Sequence, residues 1–423
     1  MEATNGRVLY KVVKYALRSS NIQWNPNNKN AVLVWADTIR AEFFDQLKPF
    51  QVINRIPWTQ TMCRKVPFAL LLQRAALYFP DEYNFLPKTY ILPNQFEMFK
   101  EALKKHDRTH IYKPDKGSLG QGIKIIHPND NSFGIPNGLA IAQEYVDSYV
   151  IDDRKFDLRI YALISSLDPL SIYVFRDGVA RFCTESVSED SKFSLLTNTA
   201  VNSKNPHAIP EKMTRMIVDV FNYIKSTGGD IDKLWNDIDN VIVLSIISGI
   251  NYLRKNANEQ CPGYGINRCF QIIGFDILLD KNLKPYILEI NYRPSLKCNT
   301  EKAFELKERM IKDSIKIAAP LEPLQNLLKK TKYYTDPEEY KAFLCENTQV
   351  INEVKELREQ NEKSNGFEKI YPNPSNTKYD EILEKISSLP TDVSEEKGLP
   401  LYYLKNTPKF VNQHRFKRIQ CEI

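Results

Sequence analysis

The chain has 423 residues, 42% hydrophobic and 26% charged, an ordinary globular balance that allows two or three lobes with a sizeable core. Its formal charge of +6 is mild and contains no lysine/arginine block, which excludes a dedicated nucleic-acid binder and suits an acidic macromolecular substrate. Seven scattered cysteines without a C-x-x-C pair, five unclustered histidines, no apolar signal core in MEATNGRVLYKVVK and no run long enough to cross a bilayer exclude a disulfide framework, a zinc site and a membrane span, and suggest an intracellular, reduced protein.

Residues 8–17 have helical spacing, 31–35 (AVLVW) read as a buried strand, and 38–47 return to helical spacing. An amphipathic helix over 62–79 offers Leu70, Leu71, Leu72, Ala75 and Ala76 for burial. Residues 85–92 lead into a second α/β segment with a helix over 94–105 and a strand over 109–112. From about 150 to 320 the pattern predicts strands at 156–165, 170–176 and 179–184, a helix near 209–226 and helices across 231–256. Short strands alternating with helices, plus hairpins, indicate an α/β or α+β architecture. We divide the chain into an N-terminal α/β lobe (1–85), a central lobe (86–150), a C-terminal lobe (151–320) and a helical, partly irregular extension (321–423). In the extension, Asp336, Pro337 and Glu339 open a predicted polar helix over 337–364 that ends near Gly366. Prolines 372, 374, 390, 400 and 408 then break the chain repeatedly, as in a packed appendage with flexible ends or a substrate-docking segment.

Four segments carry the chemistry. Residues 276–294 (DILLDKNLKPYILEINYRP) read as a hairpin of two strands, at 275–279 and 285–290. Glu289 and Asn291, two apart, share a strand face that can lie over Asp276. Two carboxylates and a neutral oxygen suit Mg²⁺; a hairpin with a solvated acid at each end has the same pattern. Residues 111–126 (IYKPDKGSLGQGIKII) place Lys113 at a strand end before a turn holding Gly117, Gly120, Gln121, Gly122 and Ile123, followed by a second strand. Backbone amides in such a turn approach phosphate oxygens closely, and the lysine adds a point charge. It is neither a Walker A loop nor a Rossmann turn, since a strand follows the glycines. Residues 139–146 (LAIAQEYV) end a strand in Gln143, Glu144, Tyr145 and Val146, resembling an adenine-binding hinge. Lys155, Asp157 and Arg159 fall on one strand face, costly to bury unless paired or ligand-bound. Arg181 lies on the next strand and can point into the same pocket, and Thr197 and Asn198 add a polar cluster in LLTNTAVN.

Together these segments resemble the tubulin tyrosine ligase-like family, in collinear order from Asn5 to about Pro320. The markers are QVINRIP, Arg64-Lys65, YNFLPKTYILP, the Lys-Pro-Gly loop, AQEYV, KFDLRIYALISSLDPLSIYVFRDGVARF, LTNTAVN, CFQIIGFDILLDKNLKPYILEINYRPSL and residues 312–317. KPDKGSLGQGI, KFDLRIY, DPLSIYVF and LEINYRPSL are most similar to the polyglutamylase branch. The resemblance implies an ATP-grasp fold of three lobes, ATP and Mg²⁺ as cofactors, and ligation through an acyl-phosphate. It implies that Lys65 and Lys113 hold phosphates, Gln143, Tyr145 and Val146 form the hinge, and Lys155 lies near the nucleotide. It further implies Asp276, Glu289 and Asn291 on Mg²⁺, Asn198 near the γ-phosphate, and Arg159 and Arg181 clamping acyl-phosphate and incoming carboxylate, with Asp157 beside them. The implied partners are free glutamate and the acidic C-terminal tails of tubulin in microtubules, with no nucleic acid and no membrane. A monomer in the cytoplasm on the cytoskeleton is expected, with cilium, flagellum or basal body as further locations.

The chain departs from the family at Leu196, where a histidine is usual, and at Val66, where an acid is common. The tail cations Lys405, Lys409, Arg415, Lys417 and Arg418 are sparse for a microtubule-docking helix. A glutamate donor needs a cation for its side chain, and Arg176 and Arg293 are both candidates. Glycine or tyrosine as the added amino acid, a non-tubulin acceptor, and a non-catalytic microtubule-binding scaffold remain open at this level.

Overall fold

The computed structural model describes residues 2–390 other than 6–7, 9, 39–40, 106–107, 118, 131, 264–265, 332–336 and 362–365. Among the described residues, helices and sheets mix in an α+β arrangement with three sheets. The largest is built on two long strands, Arg154–Leu167 and Leu170–Phe182, rich in the β-branched and aromatic residues that pack on a pleated surface. They pair antiparallel, and Gln271–Leu279 and then Pro285–Asn291 extend the sheet beyond Arg154–Leu167. Alternation along Arg154–Leu167 splits its neighbours. Phe156, Leu158, Ile160, Ala162 and Ile164 face a core shared with helices Ile217–Ser226, Ile231–Ile247 and Ile250–Gln260. On the opposite face Tyr161 and Leu163 join a core with helix Glu301–Ala318. That face carries Lys155, Asp157 and Arg159 towards the strand's start, so the apolar core gives way to charge at one end of the sheet.

A parallel sheet of Gln23–Trp24, Glu2–Asn5, Leu33–Trp35 and Val52–Ile53 meets this body where Ile53 N–H donates to Arg268 O (2.8 Å) and Phe270 N–H to Ile53 O (3.0 Å). The third sheet is antiparallel, in the order Thr89–Leu92, Ala140–Glu144, His110–Pro114 and Lys124–Ile126. Helix Phe96–Lys105 covers one face with Phe96, Phe99 and Leu103, and Val66, Ala69 and Leu70 of helix Lys65–Tyr78 pack on Ile91 and Ile141. The same helix sends Phe68, Leu71, Leu72 and Ala75 into the main core. It is therefore buried nearly all round, where the sequence suggested a single apolar stripe.

Several predicted elements differ. Residues 170–176 and 179–184 are not two strands, because Phe175, Arg176 and Asp177 are absorbed as a bulge opposite Tyr161: the register passes from Ile160↔Gly178 to Ala162↔Val174. The helix over 209–226 begins only at Ile217, because Thr214–Met216 pairs instead with the open edge at Val179–Arg181. The segment 38–47 contains a 3₁₀ turn at Ala41–Gln46. The long helix over 337–364 is two, Pro337–Glu346 and Thr348–Gln360, parted at Asn347, whose Nδ2 donates to Phe343 O (2.9 Å). Its predicted cap, Asp336, lies outside the described residues. Strand Phe367–Tyr371 pairs with Leu170–Phe182, and helix Lys378–Ser388 buries Tyr379, Ile382 and Ile386 in the main core. As far as Pro390, the extension thus packs into the main core, as a packed appendage would; the five tail cations, Pro400 and Pro408 lie outside the described residues.

Candidate functional site

The charged end of the long strand supplies the floor of the site. Arg159 faces Asp276 across the strand pair. Its Nε donates to Oδ1 at 2.5 Å and its Nη2 to Oδ2 at 3.0 Å. Arg181 faces Asp157 on the other side, with Nε to Oδ1 at 2.7 Å and Nη2 to Oδ2 at 2.5 Å. Arg181 Nη2 also lies 2.8 Å from Asp276 Oδ2, and Thr197 Oγ1 donates to Asp157 Oδ2 at 2.6 Å. The result is a buried chain, Arg159–Asp276–Arg181–Asp157–Thr197. Burial alone would push the Asp276 carboxyl up, but Arg159 and Arg181 hold it well below the usual carboxylate range. Neither Arg159 Nη1 nor Arg181 Nη1 has a partner among the described residues.

Asp276 pairs in register with Glu289, and Gly274 with Asn291. Between Asp276 and Ile277 the register slips, since Ile277 faces Ile287 and Leu288 is the extra residue. This bulge lets Leu288 and Glu289 both face one cleft while Ile287 and Ile290 stay in the core. Burial first, and then Asp276, push the Glu289 carboxyl up, with Lys65 opposing at 3.9 Å. Asn291 Nδ2 is buried without a hydrogen-bond partner among the described residues. Two adjoining carboxylates that resist joint ionisation, with the amide oxygen of Asn291 beside them, form an oxygen donor set into which a divalent cation fits.

The third sheet and its glycine turn close over this floor. Lys113 Nζ donates to Gln143 Oε1 at 2.8 Å, and Lys65 Nζ donates to Gly117 O at 2.8 Å. Lys155 Nζ sits 3.8 Å from the centre of the Tyr145 ring. Burial pushes Lys113 and Lys155 each down to about 8. Gly120 (φ +75°) approaches the Thr199–Asn202 helix so closely that a Cβ would lie 2.4 Å from Val201 Cγ2. Gly122 (φ +71°) is wedged against Pro114, and Gln121 is exposed at the turn. Asp115 anchors the turn to the start of helix Lys65–Tyr78, contacting Arg64 and accepting from Val66 N–H at 3.0 Å.

These parts enclose a cleft of about 620 Å³. Of the residues predicted from sequence, Lys113, Ile123, Gln143, Glu144, Tyr145, Val146, Lys155, Asp157, Arg181, Thr197, Asn198, Asp276 and Glu289 line it. Lys65 reaches its edge through Glu289, Arg159 lies behind Asp276, and Gly117, Gly120 and Gly122 form the turn without lining it. Ile111, Leu278 and Leu288 are apolar walls that sequence reading missed, and Leu196 lines the cleft where the family usually has histidine. Gly274 was missed as well. A Cβ there would lie 2.9 Å from Pro294 Cβ and 3.3 Å from Arg159 Cδ, so the bare backbone makes room for both side chains. Arg176, one candidate for a donor side chain, is occupied elsewhere, bidentate on Asp239 at 2.7 Å twice and on Glu368 at 2.6 Å. An apolar slot beside a cationic floor suits a ligand with a flat ring and several negative charges.

Comparison with known proteins gives the lineage. The sequence model of the tubulin-tyrosine ligase family matches residues 44–326. The chain is 31% identical over 424 residues to tubulin polyglutamylase TTLL6 of Mus musculus, covering 93% of this chain and 50% of that one. It is 30% identical over 403 residues to a probable beta-tubulin polyglutamylase of Tetrahymena thermophila (86% and 33%), and 35% identical over 318 residues to tubulin polyglutamylase TTLL11 of Mus musculus (68% and 44%). The chain thus spans about half the length, or less, of these curated relatives. With the match running through both the glycine turn and the Asp276–Asn291 hairpin, the chain belongs to the tubulin-tyrosine ligase family.

Proposed function

We propose that this chain is an ATP-dependent ligase, built on an ATP-grasp fold, that joins free glutamate to glutamate side chains in the acidic tails of tubulin. The observation that carries the reading is the convergence of Lys113, Lys155, Arg181, Asp276 and Glu289 on one cleft, in a chain similar to proteins named tubulin polyglutamylases.

When bound, ATP would supply the phosphoryl group that activates the acceptor carboxylate as an acyl-phosphate, and Mg²⁺, held by Asp276, Glu289 and Asn291, would supply positive charge beside it. The apolar walls Ile111, Leu278 and Leu288 would sandwich the purine. The N–H groups of Glu144 and Tyr145 already donate to Lys88 O and Thr109 O, both at 2.8 Å, so the ring edge falls to the Val146 amide. Lys65, Lys113 and Lys155 would hold phosphate oxygens under the glycine turn, with Asn198 beside them. Asp276 and Asp157 orient Arg159 and Arg181 through their Nε and Nη2 edges, which leaves each Nη1 for the anion that develops during transfer. Rate enhancement on this reading comes from positioning and charge stabilisation, with no covalent enzyme nucleophile.

The test is ATP-dependent incorporation of each radiolabelled amino acid into purified microtubules, beside Glu289→Gln. Label from glutamate alone, lost in the variant, supports the reading. Label from glycine or tyrosine overturns the donor; no label from any amino acid overturns the ligase on this acceptor.

A further inference from the structure

At the seam between the parallel sheet and the long-stranded sheet lies a second cleft, of about 360 Å³. Arg55 and Arg293 both line it, and they converge on a single backbone oxygen. Arg55 Nη2 donates to Asp37 O at 3.0 Å, and Arg293 Nη1 to the same atom at 3.4 Å. The other bond of Arg55, Nη1 to Asn54 O at 2.9 Å, is again to a carbonyl. Neither guanidinium lies within 4 Å of a carboxylate oxygen of a described residue. The nearest acid is Asp37, whose Oδ1 accepts from Trp35 Nε1 at 3.2 Å. Burial, with Arg293 adding to it and Asp37 opposing, pushes Arg55 down to about 10.

Two guanidinium groups brought onto one carbonyl, one of them only 8% exposed, repel each other, with Asp37 opposing, and an anion between them would relieve that repulsion further. Among the described residues Asp37 is the acid that opposes this repulsion at Arg55. The planar fork of arginine matches a carboxylate, and the Tyr10 and Trp35 side chains give the cleft an apolar wall. The position also matters. Arg293 follows Asn291 by two residues, and Pro294 and Arg159 crowd Gly274 from two sides, at 2.9 and 3.3 Å from a Cβ placed there. The cleft thus adjoins the Arg159–Asp276 end of the first site, while Arg176, the other candidate cation, is committed to Asp239 and Glu368.

We propose that Arg55 and Arg293 form a carboxylate-binding subsite that takes a glutamate side chain during ligation, resting on the ligase reading above. Its source is either a neighbouring residue of the acidic acceptor or the incoming amino acid itself. The experiment uses the full chain and Arg293→Gln, an exposed position that the fold tolerates, with the buried Arg55→Gln as second variant. Anisotropy of a fluorescein-labelled glutamate-rich peptide and calorimetry with free glutamate measure the two ligands, with a non-hydrolysable ATP analogue as control. Losing a charge-assisted bidentate contact weakens binding about tenfold or more. We expect that loss in Arg293→Gln for one ligand, with nucleotide affinity unchanged and with no loss in Lys281→Gln, which removes an exposed cation elsewhere. Loss of peptide binding assigns the acceptor; loss of glutamate binding assigns the incoming amino acid. Unchanged affinity for both, no binding of either by the unaltered protein, or an equal loss in Lys281→Gln overturns the subsite. An unaltered protein that binds through Arg293 yet incorporates no amino acid overturns the ligase reading while leaving the subsite standing.

Discussion

Arg159 and Asp276 meet directly across the antiparallel pair, joined edge to edge by two hydrogen bonds of 2.5 and 3.0 Å, and Arg181 approaches the same carboxylate at 2.8 Å. One aspartate therefore holds two buried cations. Asp276→Asn leaves both arginines without their shared charge, and breaking such a buried pair costs roughly 3 kcal/mol or more. Chemical denaturation should show this loss at neutral pH. Because the folded-state carboxyl is held low, its contribution is present above its unfolded value near 4 and is lost as pH falls through the folded one. The gap between the two proteins should narrow only in acid. An equal stability at pH 7 would show that the arginines have other support.

Glu289, its neighbour in register, behaves in the opposite sense. Burial and Asp276 raise its carboxyl, so its contribution is present below the unfolded value near 4.3 and is lost as pH rises through the folded one. Glu289→Gln should be as stable as the unaltered protein, or more so, at pH 7, with its relative advantage growing from acid to neutral pH. On the proposed function, turnover should fall by about 100-fold or more, as for loss of a central charge-stabilising group. Denaturation midpoints at two pH values and an incorporation assay check both halves.

Gly120 couples the glycine turn to the Thr199–Asn202 helix. Gly120→Ala adds a Cβ at φ +75° and 2.4 Å from Val201 Cγ2, so the turn must move off the cleft. The strain is on the order of 1–2 kcal/mol, which on the proposed function we expect to appear as about a tenfold rise in the KM for ATP with little change in Tm. A Tm loss with unchanged KM would make the contact structural only.

How far the sequence could be read differs between parts of the site. Asp157 and Glu289 were legible from a period of two along their strands, Lys113 from the strand end before the glycine turn and Gln143 from the hinge-like strand end, and the structure brings all four to one cleft with Arg181 and Asp276. The bulge at Leu288 was not, since a register slip depends on the partner strand rather than on local pattern. Gly274 drew no notice in the sequence, because its use is to make room for Pro294 and for Arg159 of the next strand. The division between 176 and 179 misled for the same reason: pairing with Arg154–Leu167 on both sides of the bulge keeps the strand continuous. Asn347 broke a helix that composition alone made continuous.

The extension up to Pro390 should be indispensable to folding. Ile382 is fully buried in the main core beside Ile386 and Tyr379, and Tyr371 O–H donates to Asp380 Oδ1 at 2.6 Å. Ile382→Ala should therefore cost about 2–5 kcal/mol, as for other buried isoleucines. A cost under about 0.5 kcal/mol in a urea titration would make this segment a loosely held appendage.

On the proposed function, the two lysines set a pH dependence that separates nucleotide binding from stability. Burial lowers Lys113 and Lys155 to about 8, so both lose charge in the empty cleft as pH rises through that value. A polyphosphate favours the charged form, so its affinity should fall between pH 7 and 9.5, and binding above pH 8 should take up protons. Stability should move the other way. Between about 8 and the unfolded value near 10.4, the unfolded chain holds more protons, so the empty protein gains stability as pH rises across that window. Calorimetry with an ATP analogue in buffers of different ionisation enthalpy reads the proton uptake, and Lys155→Gln should reduce it. An affinity that stays flat from pH 7 to 9.5 would remove both lysines from the phosphate site, whatever the incorporation assay shows.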